Sequence, residues 1–540
     1  MVAVDANQPP PFEGRNLYAS DRALAAAVER GGASWAHASL TEWGAALGSG
    51  ELFALAARAN RNGPELRSHD RFGERIDEVG FDPAWHELMM LSMIEGEHSS
   101  PWTETRDGAM VARAAAYLMH AEVENGTQCP LTMTFAAFPV LRRYAAAVPG
   151  LAADWLPRIV SRDYDPRGLP VAAKASALIG MGMTERQGGS DVRANVTRAD
   201  PVGDGVYRLI GHKWFFSAPM CDAHLVLAQA PGGLSCFFLP RILADGRRNA
   251  VRLQRLKDKL GNRSNASCEV EFDGAQAWLL GDEGRGLQVI IEMVQHTRLD
   301  CAIGSAGLTR SATAQALHHA RHRRAFGKLL ADQPLMQNVL ADLCIEAEAG
   351  VVAALRLAGA FEARAGEAER ALARLATPAL KYWLCKRAAQ VVAEAMEVLG
   401  GNGYIEESAL PRLYREAPLN SIWEGAGNVM CLDVLRALRR EPDAVAAIDD
   451  ELGLARGADA HLDRHLARLA GVLGNRSIDE TAARRVTSDL ALALIASWLV
   501  RHAAAPVADA FCASRLDGAY AGTLGALPPG VDCAAIVAAS

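Results

Sequence analysis

Between residues 181 and 285 the chain changes its hydrophobic period, and this switch limits the folds open to it. From 46 to 180, and again from 286 to 440, apolar residues recur at helical spacing. Inside the switch, short β-type runs at 207–210, 223–227, 235–239 and 268–272 stand between turn residues. The order helices, strands, helices is not the strand–helix alternation of a doubly wound sheet. The run Gly180-Met181-Gly182-Met183-Thr184-Glu185 is not G-x-G-x-x-G and lacks the strand–helix context, which excludes a nicotinamide-binding Rossmann unit.

The expected fold is α+β. Residues 1–45 form an N-terminal extension, with Pro9, Pro10 and Pro11 and a helix-like stretch at 21–29, that docks elsewhere, another subunit included. Residues 46–180 form a helical domain broken at Pro101, Pro130, Pro149 and Pro157. A β-domain follows at 181–285, a helical domain at 286–440, and an additional helical region at 441–540. Val391, Ala395 and Leu399 make one apolar stripe, and Gly400-Gly401 would end that helix with a left-handed cap. A length of 540 residues fits three to four domains.

The net charge of −7 gives no general pull toward nucleic acid or anionic membrane. Ten cysteines with no C-x-x-C pair read as packed thiols of a reduced, cytoplasmic protein. The start lacks a basic segment followed by an apolar core, so no signal peptide is expected. The apolar run 490–500 is too short for a bilayer and reads as a buried helix.

Four constellations carry chemistry. Glu424 lies between Ile422-Trp423 and Gly425-Ala426-Gly427-Asn428; apolar neighbours would desolvate a carboxylate into a general base, or it is a solvated loop residue. Met183-Thr184-Glu185 through Gly188-Gly189-Ser190 is a donor-rich loop fit for an anionic or polar cofactor edge, or an ordinary turn. Trp214-Phe215-Phe216-Ser217 offers rings to both faces of a strand, for stacking on a planar ligand or for the core. His318 and His322 have helical metal spacing without a third ligand, so no metal is expected, and the arginines ending at Arg323-Arg324-Ala325-Phe326-Gly327 suit a phosphate better.

In this order the motifs resemble the acyl-CoA dehydrogenase flavoproteins over about residues 100–435. Those motifs are the Thr184-Glu185 loop through Ser190-Asp191, Gly211-x-Lys213-x-aromatic, Gly261-x-Arg263 with Glu269, Arg323-x-x-Phe326-Gly327, Gly400-Gly401-x-Gly403-Tyr404 and Trp423-Glu424-Gly425. The stretches 181–192, 256–266 and 420–425 resemble the AidB-type branch, linked to the response to DNA alkylation, which also carries extra C-terminal helices.

The resemblance implies FAD as cofactor. Met183, Thr184, Gly189, Ser190, Phe215, Phe216, Ser217, Ile422, Trp423, Gly425, Gly427 and Asn428 would contact it, and Arg323, Phe326, Gly400 and Gly401 would reach the FAD of a neighbouring subunit in a homotetramer. Phe215 and Ser217 replace the family's usual Trp and Thr. Glu397, where the family often has Gln, and Gln333-Pro334, off the usual Gln position, depart from its pattern. Glu424 matches the base that takes the α-proton of an acyl thioester while flavin N5 accepts a hydride from the β-carbon. Thr297 holds a position where some members place the base, and Arg298 is either a substrate-side contact or a structural ion pair. The segment Cys129 to Phe135 lies on the pocket side and matches the AidB branch.

The branch further implies DNA association with weak dehydrogenation of an isovaleryl-CoA-like substrate; the alternative is a fully active short- or branched-chain acyl-CoA dehydrogenase with no DNA role. Residues 431–540 hold eleven arginines, no lysine and fourteen carboxylates, so the tail is acidic. Arg436, Arg439 and Arg440 share a helix face that can meet DNA, and 247–259 is a denser basic run; either is also an ordinary solvated surface.

Overall fold

The computed structural model describes residues 7–473, 478–516 and 522–540. These form two compact units that interleave along the chain: 54–105 with 124–297, and 1–53 with 106–123 and 298–540.

The first unit is built on a seven-stranded sheet. Its path runs Ile179–Gly182, Ala223–Ala230, Arg198–Gly203, Val206–Ser217, Ser267–Leu280 and Gly233–Pro240, with Val251–Leu256 paired to Ser267–Leu280. Ala223–Ala230 also pairs with Gly233–Pro240, so the ladder returns on itself as a barrel. Ile179–Gly182 and Val251–Leu256 lie outside this ring, each with a single ladder partner among the described residues. The interior holds Leu209, Phe216, Val226, Phe237, Val270 and Phe272. The four expected β-runs all fall in these strands.

Three of the four prolines expected to break helices sit in the first turn of one instead: Pro101 in Ser100–Thr103, Pro130 in Gln128–Arg143 and Pro157 in Leu156–Ile159. A first-turn N–H has no intrahelical acceptor, so proline loses nothing there. A hairpin, Glu65–His69 with Arg75–Gly80, interrupts the helical region. Its Leu66 and Val79 pack on the barrel core.

The second unit is helical. Glu367–Val398 packs against Gly427–Arg440, Pro442–Gly453 and Ala483–His502. Gly400, at φ +60°, follows the first of these and ends it, as the double glycine predicts. The run 490–500 lies in Ala483–His502 and is buried, with Trp498 donating to Glu451 at 2.6 Å. Among the described residues no helix is long and apolar enough to cross a membrane.

The N-terminal extension docks on its own chain. Asp21 caps the helix Arg22–Arg30 through Leu24 N–H and accepts from Arg310 at 2.8 Å. Further upstream, the Pro10 carbonyl meets His318 at 2.8 Å, and Phe12 lies on the His318 ring.

Candidate functional site

In the barrel unit the loop after Ile179–Gly182 is fixed from behind by a buried ion pair. Lys213 Nζ donates to Glu185 at 2.8 Å and to the Leu227 carbonyl at 2.7 Å, and both side chains are fully buried. The Glu185 carboxylate also accepts from Val196 N–H (2.7 Å), Thr197 N–H (3.1 Å) and Gln187 (2.9 Å). Burial opposes the Glu185 charge, but Lys213 and these donors hold its carboxyl at about 2. Burial lowers the Lys213 ammonium to about 8 against the pull of Glu185. The motif's Glu and Lys therefore form a clamp, a role the sequence alone does not assign to them.

The clamp leaves Met183 and Thr184 half-buried and Gly189 and Ser190 exposed. A Cβ at Gly189 would overlap the Thr184 hydroxyl, so the loop needs glycine to lie this close. Asn195 holds the Met183 carbonyl at 2.9 Å. On Val206–Ser217 the rings divide: Phe215 is 53% exposed, whereas Phe216 is sealed in the core, stacked on His224 at 4.1 Å. This corrects the expectation for Phe216: only its backbone remains for a ligand, because a pleated strand sends successive side chains to opposite faces. Ser217 is half-buried and 3.4 Å from the Ser267 hydroxyl. An accessible ring beside a glycine-gated, hydroxyl-bearing loop fits a planar, anionic cofactor.

The Cys129 to Phe135 segment lies buried in Gln128–Arg143, with Phe135 stacked on Trp102 at 4.9 Å.

In the helical unit Glu424 sits in a strained turn. Its φ is +58° and that of Gly425 is +99°. A non-glycine residue in this region costs on the order of 1–3 kcal/mol and persists only where its surroundings impose it. Two buried cations do so by taking three successive carbonyls. Lys381 Nζ donates to those of Trp423 and Gly425, both at 2.6 Å, and Arg298 Nε donates to that of Glu424 at 3.1 Å. Trp423 is fastened by Asn420 at 2.9 Å, which in turn reaches Ser305 at 3.2 Å. A Cβ at Gly425 would strike Met430.

Glu424 is half-buried as a residue, and Ile422 is 62% exposed, so the expected apolar frame is only partly present. Arg298 forms a structural ion pair with Asp433 at 2.9 Å. Thr297 is buried and spends its hydroxyl on the Val294 carbonyl at 3.0 Å.

The remaining candidates are scattered through this unit. Phe326 is 98% exposed at the tip of a two-residue hairpin turn between Arg324–Ala325 and Lys328–Leu329, with φ +53°, followed by Gly327 at +78°. Arg323 donates to the Asn7 carbonyl at 2.5 Å, and Asn402, beside Gly400 and Gly401, bonds Gln8 at 2.8 Å. Gly427 begins the helix Gly427–Arg440 and is packed against Lys386, while Asn428 accepts from Arg484 at 2.8 Å. His318 and His322 are both engaged by carbonyls, and among the described residues no cluster of three or more metal-ligand side chains exists.

Of the basic candidates, Arg436 pairs with Asp433 at 2.5 Å and Arg439 donates to the Ile478 carbonyl at 2.5 Å, though both remain exposed. The denser basic run is largely charge-matched: Arg247 with Asp245, Arg248 with Glu78, Arg252 with Asp273, and Arg255 and Lys257 with Glu269.

Residues 7–166 match the Adaptive response protein AidB N-terminal domain. Residues 180–275 match the Acyl-CoA dehydrogenase, middle domain, and 284–439 the Acyl-CoA dehydrogenase, C-terminal domain. The chain is 51% identical to the Escherichia coli (strain K12) protein AidB over 512 residues, 95% of this chain and 94% of that one. The chain belongs to the AidB-type branch of the acyl-CoA dehydrogenase family. The Caenorhabditis elegans ACDH-11 structure, in complex with C11-CoA, matches with a TM-score of 0.86 at 26% identity, covering 96% of this chain and 94% of that one. A Bacillus anthracis acyl-CoA dehydrogenase complexed with FAD shares the fold, with a TM-score of 0.64 at 18% identity over 80% of this chain and 81% of that one. FAD as cofactor is consistent with this membership.

Proposed function

We propose that the chain is an FAD flavoprotein that removes the α-proton of an acyl-CoA thioester with Glu424, and that its turnover is weak. The observation that carries this reading is the Glu424 turn, a strained backbone imposed by Lys381 and Arg298 on a residue that would otherwise avoid it. Bound FAD would supply the acceptor for the β-hydride. Thr184, Gly189, Ser190 and Met183 would hold its polar edge, and Phe215 with Ser217 would border the ring. In the helical unit, Ile422, Trp423, Gly425, Gly427 and Asn428 are proposed cofactor contacts on the family resemblance. The C11-CoA bound by the C. elegans relative supports an acyl-CoA ligand.

Arg323, Phe326, Gly400 and Gly401 would serve a neighbouring subunit's cofactor in a homotetramer. The 98% exposed Phe326, at the tip of its hairpin, is the side chain that such a contact would cover. A cytoplasmic flavoprotein of the alkylation response that meets DNA through Arg436, Arg439 and Arg440 is the finer reading, supported by the 51% identity to AidB. The second reading, a fully active dehydrogenase without a DNA role, draws on the pairing of the 247–259 run, which leaves that surface little net positive charge.

An anaerobic titration of the yellow protein with isovaleryl-CoA separates them. Slow, partial bleaching of the flavin band is the expected result. Bleaching complete within the mixing time at one equivalent would support the second reading, and no perturbation of the band at saturating acyl-CoA would sink both.

A further inference from the structure

Three guanidinium groups meet on one buried carboxylate. Asp433, on the inner side of Gly427–Arg440, accepts from Arg298 at 2.9 Å on one oxygen, and from Arg374 at 2.9 Å and Arg436 at 2.5 Å on the other. Arg374 also pairs with Glu441 at 2.9 Å. Burial opposes the charge of Asp433, but Arg374 and Arg298 hold its carboxyl below the usual range.

A guanidinium is a rigid planar fork, so anchoring one nitrogen sets where the others point. In Arg298 the anchored nitrogen is the one on Asp433, and the Nε beside it holds the Glu424 carbonyl. Lys381 restrains the carbonyls on either side, so the carbonyl of Glu424 itself depends on Arg298. Without the carboxylate, Arg298 would retain its charge but lose its aim.

We propose that Asp433 is a positioning residue for the Glu424 turn, acting through Arg298. The inference rests on Glu424 as the base. Asp433 touches no reacting atom; it fixes the backbone from which the carboxylate of Glu424 projects. An arrangement of this kind affects turnover more than affinity, since a base displaced by about 1 Å loses on the order of a hundredfold in rate.

The test uses the full-length, FAD-loaded protein. Asp433→Asn keeps the shape and removes the charge. Hydrogen exchange over residues 419–430 is expected to rise about tenfold, with exchange over 206–217 unchanged and FAD retained. With isovaleryl-CoA, kcat is expected to fall about tenfold or more while KM stays within about twofold. If uncompensated arginines reduce the yield of that variant, Asp433→Asn with Arg374→Gln removes one positive charge along with the negative one and is expected to behave alike. Asp443→Asn, exposed on the next helix, is the control.

A folded, FAD-loaded Asp433→Asn or double variant with wild-type exchange over 419–430 overturns the proposal. So does a fall in stability with kcat and KM both unchanged, which marks a merely structural carboxylate. If the wild type turns over no acyl-CoA, the reading of Glu424 as base has failed, and the 419–430 exchange alone decides whether Asp433 holds the turn.

Discussion

Replacing Lys213 by Met tests whether the buried pair with Glu185 fastens the loop that carries Thr184. The substitution keeps the apolar stem and deletes the ammonium, which is bonded to Glu185, the Leu227 carbonyl and, at 3.4 Å, the Met183 carbonyl. Removing one partner of a buried ion pair costs about 3–5 kcal/mol, because the other charge stays behind without compensation. Glu185 would still accept from Val196, Thr197 and Gln187, so the loss belongs near the lower end, about 3 kcal/mol. That is roughly a hundredfold in a local opening equilibrium. A protein of several domains does not unfold in one step, so the assay is hydrogen exchange over residues 183–197 rather than a global melt. Flavin fluorescence on dilution gives a second readout, since Met183 and Thr184 immediately precede Glu185. Glu185→Gln is expected to be at least as harmful, because each carboxylate oxygen faces two donors and an amide would set its own N–H groups against one pair. Exchange slowed or accelerated by less than about fivefold in Lys213→Met, below about 1 kcal/mol, would refute the clamp.

Three further outcomes are expected. Burial raises the Glu122 carboxyl to about 7, against the attraction of Arg15, so its contribution to stability is complete below pH 4.5 and is lost as pH rises through 7; Glu122→Gln should remove about 3 kcal/mol of that pH dependence, read from hydrogen-exchange protection over residues 109–123 between pH 4.5 and 7.5, corrected for the intrinsic exchange rate, and an unchanged slope would exclude the assignment. Phe326→Ser should shift sedimentation toward smaller species without altering the far-ultraviolet dichroism, whereas an unchanged distribution would place the interface elsewhere. Arg440→Glu should weaken duplex DNA binding and lower the salt slope by about 1, and an identical slope would clear that residue.

The fold was legible where one period ran long enough. The runs 207–210 and 268–272 alternate between buried and more exposed positions, and the Gly400-Gly401 stop follows from the conformation glycine alone adopts cheaply. The hairpin at 65–80 was not legible, because its strands are polar and half exposed and show no apolar alternation. First-turn prolines read as breaks because sequence does not mark which turn they occupy. At the candidate site, the motif located Glu424 but not what holds it. Lys381 and Arg298 lie 43 and 126 residues upstream and reach the turn only through tertiary packing. A left-handed glutamate carries no compositional signal either, since propensity favours Gly or Asn there. The three aromatics 214–216 were ambiguous for a related reason: the strand has a register shift between Lys213 and Phe216, so simple alternation does not say which ring faces the core.

The most direct test of the account follows the α-proton itself. Isovaleryl-CoA is incubated in D2O with the FAD-loaded protein under anaerobic conditions, and the α-position is followed by proton NMR. The wild type is expected to wash deuterium into that position, and Glu424→Gln to slow the exchange by about 10²–10⁴-fold at unchanged FAD content. Exchange at the wild-type rate in Glu424→Gln would contradict the assignment of Glu424 as the base.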